Sequence, residues 1–88
     1  MTTSAPANAI DIGAIREIVA EHIGVSFDAQ NFEIERDLYA AGLTSLATVS
    51  VMLGLEERFD IEFPESMLGR GTFRSLSAIA DAVSKLIQ

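Results

Sequence analysis

The stretch LTSLATVSVMLGLEERFDIEFP, residues 43–64, decides how this chain folds. It opens on Thr44, whose hydroxyl can accept a bond from a first-turn N–H, and apolar residues then recur at helical spacing from Ser45 to Phe59. At about 100° per residue, Thr48, Val51, Met52, Leu55 and Phe59 fall in one sector roughly 100° wide, which is the stripe a helix buries against its neighbours. Leu46, Val49 and Leu53 make a second apolar stripe roughly 140° away, where a surface helix ordinarily carries charge. The first stripe is expected in a core and the second in solvent, open to a partner. Pro64 lacks an N–H and biases Phe63 toward extended backbone, so the helix must end within residues 60–63.

Working outward, Asn8 or Asp11 can cap an earlier helix that carries Ile12, Ile15, Ile18, Val19 and His22 on one face and stops at Gly24. From Val25 to Leu43 no helical period is sustained. The alternation Phe32-Glu33-Ile34-Glu35 suggests a short strand, but no second strand pattern exists to pair with it. This segment therefore reads as a long loop pinned to the core by Phe27, Phe32, Ile34, Leu38 and Leu43, with Gly42 permitting a tight turn before the next helix. Beyond Pro64, the residues Pro64-Glu65-Ser66-Met67-Leu68 fit one short helical turn with proline in its first position. Gly69-Arg70-Gly71 reads as a flexible connector, a very weak match to a phosphate-binding glycine loop. Ser75 can cap a last helix with Leu76, Ile79, Ala82, Val83 and Leu86 on one face and Asp81 and Lys85 on the other. The fold class is all-α: three main helices plus a short one, arranged as a small four-helix bundle with a long first loop. Residues 1–7, polar and without a basic or apolar run, read as a flexible N-terminal tail, and residues 8–88 as one domain.

Composition narrows the function. The chain has 88 residues with 49% hydrophobic and 22% charged, enough for one core but not for a large catalytic cleft. Thirteen acidic against six basic residues give a formal charge of −7, which repels phosphate backbones and anionic lipid and favours a basic protein surface as partner. No stretch reaches the roughly 20 apolar residues that a bilayer requires. There is no cysteine, and the lone His22 cannot build a metal site by itself; it reads as a packed histidine. Glu56 and Glu57 are adjacent on a helix, point apart, and read as a solvated face and not as an acid/base pair. No metal site and no nucleophile–base pair is legible. Ser45 stands out by position: a hydroxyl at a helix N-terminus, where unpaired N–H groups and the helix dipole favour a negative group such as a phosphate ester, next to the apolar stripe. The alternative is that Ser45 merely shares the capping role with Thr44.

The run Leu43-Thr44-Ser45-Leu46-Ala47-Thr48-Val49, continued by Leu55-Glu56-Glu57-Arg58-Phe59-Asp60-Ile61-Glu62-Phe63-Pro64, closely resembles the acyl and peptidyl carrier protein family. There, an Asp-Ser-Leu motif opens the second helix and a Leu-Glu-Glu-x-Phe-Asp-Ile-x-Ile/Phe-Pro segment closes it. The order of helices matches as well, so the resemblance covers about Ile10 to Ile87. It implies that a phosphopantetheinyl transferase attaches 4′-phosphopantetheine from coenzyme A to Ser45, and that the arm's thiol carries a thioester-linked cargo for a chain that is not itself catalytic. It also implies that Thr44, Leu46, Val49 and Leu53 meet partner enzymes, while Met52 and Leu55 lie in the core.

Two departures from the fatty-acid carriers stand out. Thr44, Ala47 and Ser50 occupy positions that are acidic there, removing charge pairs each worth up to about 1 kcal/mol at an exposed rim. The stretch Glu65 to Phe73 is also longer. With Asp37-Leu38-Tyr39-Ala40-Ala41-Gly42-Leu43, these features resemble bacterial aminoacyl carrier proteins, which are served by amino acid:[carrier protein] ligases similar to the catalytic core of seryl-tRNA synthetases. The resemblance implies a small amino acid such as glycine or alanine as cargo; with no cysteine in the chain the cytoplasm is the default location, and a monomer is expected. The alternatives are a specialised acyl carrier for fatty-acid or polyketide synthesis, met by acyl-transferring enzymes, and, from another class, an unmodified helical interaction module.

Overall fold

The computed structural model describes residues 11–23 and 31–87. Three α-helices run in order: α1 (Ile12–Ile23), α2 (Ser45–Phe59) and α3 (Leu76–Ile87), with a 3₁₀ turn at Glu65–Met67 before the last. Each α-helix starts where a short polar side chain takes up a first-turn N–H. Asp11 Oδ1 accepts from Ala14 N at 3.2 Å, Thr44 Oγ1 from Ala47 N at 3.0 Å and Ser75 Oγ from Ala78 N at 3.0 Å. Of the two caps that the sequence offers α1, Asp11 makes the bond. Asn8, the tail at residues 1–7, Gly24 and Phe27 lie outside the described residues.

One core joins the helices. Ile15 and Val19 of α1, Val51 and Leu55 of α2, and Leu76, Ile79 and Val83 of α3 are all fully buried within it. The expected faces of α1 and α3 are thus the packed ones, with Ile12, Ile18 and Leu86 half-buried at their margins. α1 and α2 come so close that a Cβ on Gly54 would stand 3.1 Å from Ile18 Cγ2. At that separation only a small residue in α2 lets the two helices meet without displacing Ile18.

The described part of the long loop consists of turns, without a strand, and it is held by backbone as much as by side chains. Phe32, Leu38 and Leu43 are buried as anticipated. Ile34 is not: it is an exposed residue, and its carbonyl instead accepts from Ser77 N at 2.8 Å. Leu38 N donates to Arg74 O at 2.7 Å, and the Arg16 guanidinium donates to Phe32 O at 2.6 Å. Main-chain pairing to the start of α3 thus does for Ile34 what an apolar side chain was expected to do.

α2 ends where expected, at Asp60, but Glu56 and Pro64 depart from expectation. Asp60 takes the left-handed conformation at φ 56° and closes the helix, its N–H and that of Ile61 both donating to Glu56 O. An aspartate tolerates this conformation better than most residues. Glu56 is not simply solvated, because its Oε2 accepts from Phe63 N at 2.9 Å and so ties the extended segment back to the helix. Pro64 sits at the cap of the 3₁₀ turn and not in its first position, since its ψ of 159° is extended. After that turn, Phe73 is buried against Phe63, their ring centroids 5.3 Å apart. Phe73, at the end of the long stretch that begins at Glu65, thus belongs to the core.

Candidate functional site

The chain enters α2 through a bend that fixes where Ser45 lies. Asp37 Oδ1 accepts from Tyr39 N at 2.9 Å and from Ala40 N at 3.3 Å, winding residues 37–42 into turns. Gly42 then adopts φ 122°, which a residue with a Cβ rarely tolerates, and buried Leu43 anchors the chain immediately afterwards. Thr44 is extended, and its side chain and carbonyl meet the N–H groups of Ala47 and Thr48. The side-chain cap is therefore supplied by Thr44 and not by Ser45.

Ser45 itself is exposed, and its hydroxyl makes no hydrogen bond to any described residue. The first turn of α2 holds no acidic residue, so nothing in it offsets the partial positive charge of the helix end. A hydroxyl so placed is reachable by another protein and favourably set to carry an anionic ester.

Leu46, Val49 and Leu53 are 82%, 49% and 55% exposed, whereas Val51 and Leu55, on the same helix, are wholly covered. Met52 and Phe59 pack at the edge of the core, while Thr48 is half-buried with its hydroxyl donating to Thr44 O at 2.8 Å. Leu68, exposed beside Val49, extends the outward apolar stripe across to the segment after the 3₁₀ turn.

A shallow pocket of about 260 Å³ opens beside Ser45, lined by Tyr39, Ser45, Thr48, Val49, Leu68 and Arg70. The Arg70 guanidinium lies over the Tyr39 ring at 4.1 Å from its centroid. Neither Tyr39 nor Arg70 was expected at the site. They come from two loops far apart in sequence, and only the Gly-Arg-Gly spacing hinted at an anion. His22 is half-buried at the end of α1, and among the described residues no three His, Asp or Glu side chains gather as a metal site. No helix among them is long and apolar enough to cross a membrane.

A family model described as a phosphopantetheine attachment site matches residues 13–83. The aminoacyl carrier protein of Agrobacterium fabrum is 48% identical over 73 residues, spanning 83% of this chain and 88% of that protein. The D-alanyl carrier protein of Streptococcus sanguinis is 39% identical over 54 residues, 60% of this chain and 68% of that one. Among solved structures, the crystal structure of an engineered Bradyrhizobium japonicum glycine:[carrier protein] ligase complexed with carrier protein from Agrobacterium tumefaciens and AMP contains a similar chain. It matches with a TM-score of 0.78 at 48% identity, covering 83% of this chain and 97% of that one. The all-α bundle, the family match over most of its length and these carrier relatives agree: the chain belongs to the phosphopantetheine-attachment family of carrier proteins, non-catalytic proteins that carry a covalently attached phosphopantetheine.

Proposed function

We propose that Ser45 is the attachment point and that this carrier transports a small amino acid, glycine or alanine, between enzymes. The observation that carries the assignment is the free, exposed hydroxyl of Ser45 at the start of α2, where Thr44 and not Ser45 supplies the side-chain cap. In the attachment step the Ser45 Oγ–phosphorus bond forms, the phosphoanhydride bond of coenzyme A breaks and adenosine 3′,5′-bisphosphate leaves. The hydroxyl proton passes to a base of the phosphopantetheinyl transferase. Once attached, the group supplies a thiol, which a cysteine-free chain otherwise lacks, for thioester linkage of the cargo.

The chain's own contributions are position and recognition. Capping by Thr44 holds the first turn in place, the Gly42 bend presents Ser45 outward, and Leu46, Val49 and Leu53 offer an apolar surface to successive enzymes. An amino acid:[carrier protein] ligase as loading enzyme is supported by the likeness to the carrier in the glycine:[carrier protein] ligase complex. The neutral first turn of α2 also suits partners that do not rely on acid–base charge pairing there. The protein is assigned to the cytoplasm, where coenzyme A and ATP are at hand, and is taken to act as a monomer.

Incubation with coenzyme A and a broad-specificity transferase should add one phosphopantetheine mass to the intact protein, and Ser45→Ala should abolish it. An unchanged wild-type mass would favour an unmodified interaction module. With the arm in place, ATP-dependent loading of glycine or alanine by a dedicated ligase is expected; loading only of fatty or polyketide acyl groups would reverse the choice of cargo.

A further inference from the structure

The pocket beside Ser45 contains a positive charge but no carboxylate. In a chain of net charge −7 this is a notable placement, because two other arginines face acids: Arg58 pairs with Asp11 at 3.6 Å and Arg74 with Asp37 at 3.9 Å. Arg70 has no ion pair among the described residues. It is held by stacking on Tyr39, which occupies the flat face of the guanidinium and leaves its N–H edge available. Tyr39 is in turn half-buried against the core, with its hydroxyl 3.5 Å from Thr48 Oγ1. The stack therefore rests on the first turns of α2, the same element that carries Ser45.

We propose that Arg70 is the residue that holds the phosphodiester on Ser45, so that the arm leaves the protein from the Tyr39–Arg70 pocket in a preferred direction. This rests on Ser45 as the attachment point. A phosphodiester keeps one negative charge and two free oxygens, which match a guanidinium fork better than a lysine ammonium does. Val49 and Leu68, which also line the pocket, give the first carbons beyond the phosphate an apolar surface, continuous with the outward stripe of α2. Docking enzymes would then meet an arm already aimed along the surface they bind. Arg70 is a positioning residue in this role.

The test uses full-length holo-protein of the wild type, Arg70→Gln, Arg70→Lys and Tyr39→Ala. Intact mass first establishes that the arm is present in each. In the wild type the ³¹P resonance should correlate with the Arg70 guanidinium protons. That correlation should be lost and the resonance displaced in Arg70→Gln, with Arg70→Lys in between, and amide spectra should leave the fold unchanged because Arg70 is exposed. Tyr39→Ala, with Arg70 retained, should weaken the correlation. Arm present with a ³¹P resonance indifferent to Arg70→Gln overturns the proposal while leaving the carrier assignment standing. The same indifference accompanied by slower ligase loading assigns Arg70 to a partner's acidic surface instead. Absence of the arm from the wild type removes the carrier assignment at Ser45 and this proposal with it.

Discussion

The two faces of α2 are built from the same kinds of residue and meet opposite fates. Val51 and Leu55 have no exposed surface, while Leu53, between them in sequence, is 55% exposed and Leu46 is 82% exposed. Side-chain hydrophobicity cannot account for the difference; the helical step does, by turning one stripe toward α1 and α3 and the other away. The inner stripe stabilises the bundle. The outer one gives up burial that a partner can later supply, which is the usual meaning of a contiguous apolar patch on a small protein.

Truncating one leucine from each face tests this most directly. Leu55→Ala should lower unfolding stability by about 2–5 kcal/mol, by lost burial plus the cavity left behind, whereas Leu53→Ala should stay within about 0.5 kcal/mol. Against the roughly 5–15 kcal/mol typical of whole domains, the first is a large loss. Urea unfolding of both variants measures it, and equal midpoints would break the distinction between the faces. Gly54 probes the seam between them. A Cβ there would stand only 3.1 Å from Ile18 Cγ2, so Gly54→Leu should force α1 outward and cost about 1–3 kcal/mol, read as a lowered thermal midpoint. Thr44→Ala removes the acceptor for Ala47 N and should cost about 1 kcal/mol, with Thr44→Ser recovering most of it.

The sequence reveals features that depend on a period or a local bond, and hides those that depend on contacts between loops. Both stripes of α2, the packed faces of α1 and α3 and the Thr44 and Ser75 caps follow from spacing and short-range hydrogen bonding. Ile34 defeated that approach because its backbone carbonyl, not its side chain, is what the fold uses. Glu56 was hidden for a similar reason: a carboxylate on a helix looks solvated until the following segment folds back and offers the Phe63 N–H. Phe73 could have been found by pairing it with Phe63 across the polar segment, two aromatics being costly to leave exposed in so small a protein. At the proposed site, Ser45 could be picked out from its place just after the Thr44 cap and from its motif. Tyr39 and Arg70 were not, because their stacking joins a turn before α2 to one after the 3₁₀ segment, and nothing periodic relates the two.

The smallest expected effect on stability is also the one most specific to the outer face. Val49 is half exposed and contributes nothing to the buried cluster, so Val49→Glu should leave helix content unchanged and the thermal midpoint within the range of about 0.5 kcal/mol typical of surface substitutions. Its effect belongs in the encounter with the loading enzyme. Covering a valine side chain is worth about 1.5 kcal/mol, and a glutamate there would also have to be desolvated. The KM of the ligase for the carrier should therefore rise by about tenfold or more, since each 1.4 kcal/mol corresponds to a factor of ten. The kcat at saturating carrier should change little, because on the proposed docking surface the valine has no part in the thiol chemistry. A collapse of the fold in Val49→Glu would mean that the stripe is structural after all. An intact fold with unchanged KM would place the partner's footprint elsewhere on the bundle and leave the outward leucines of α2 without a function.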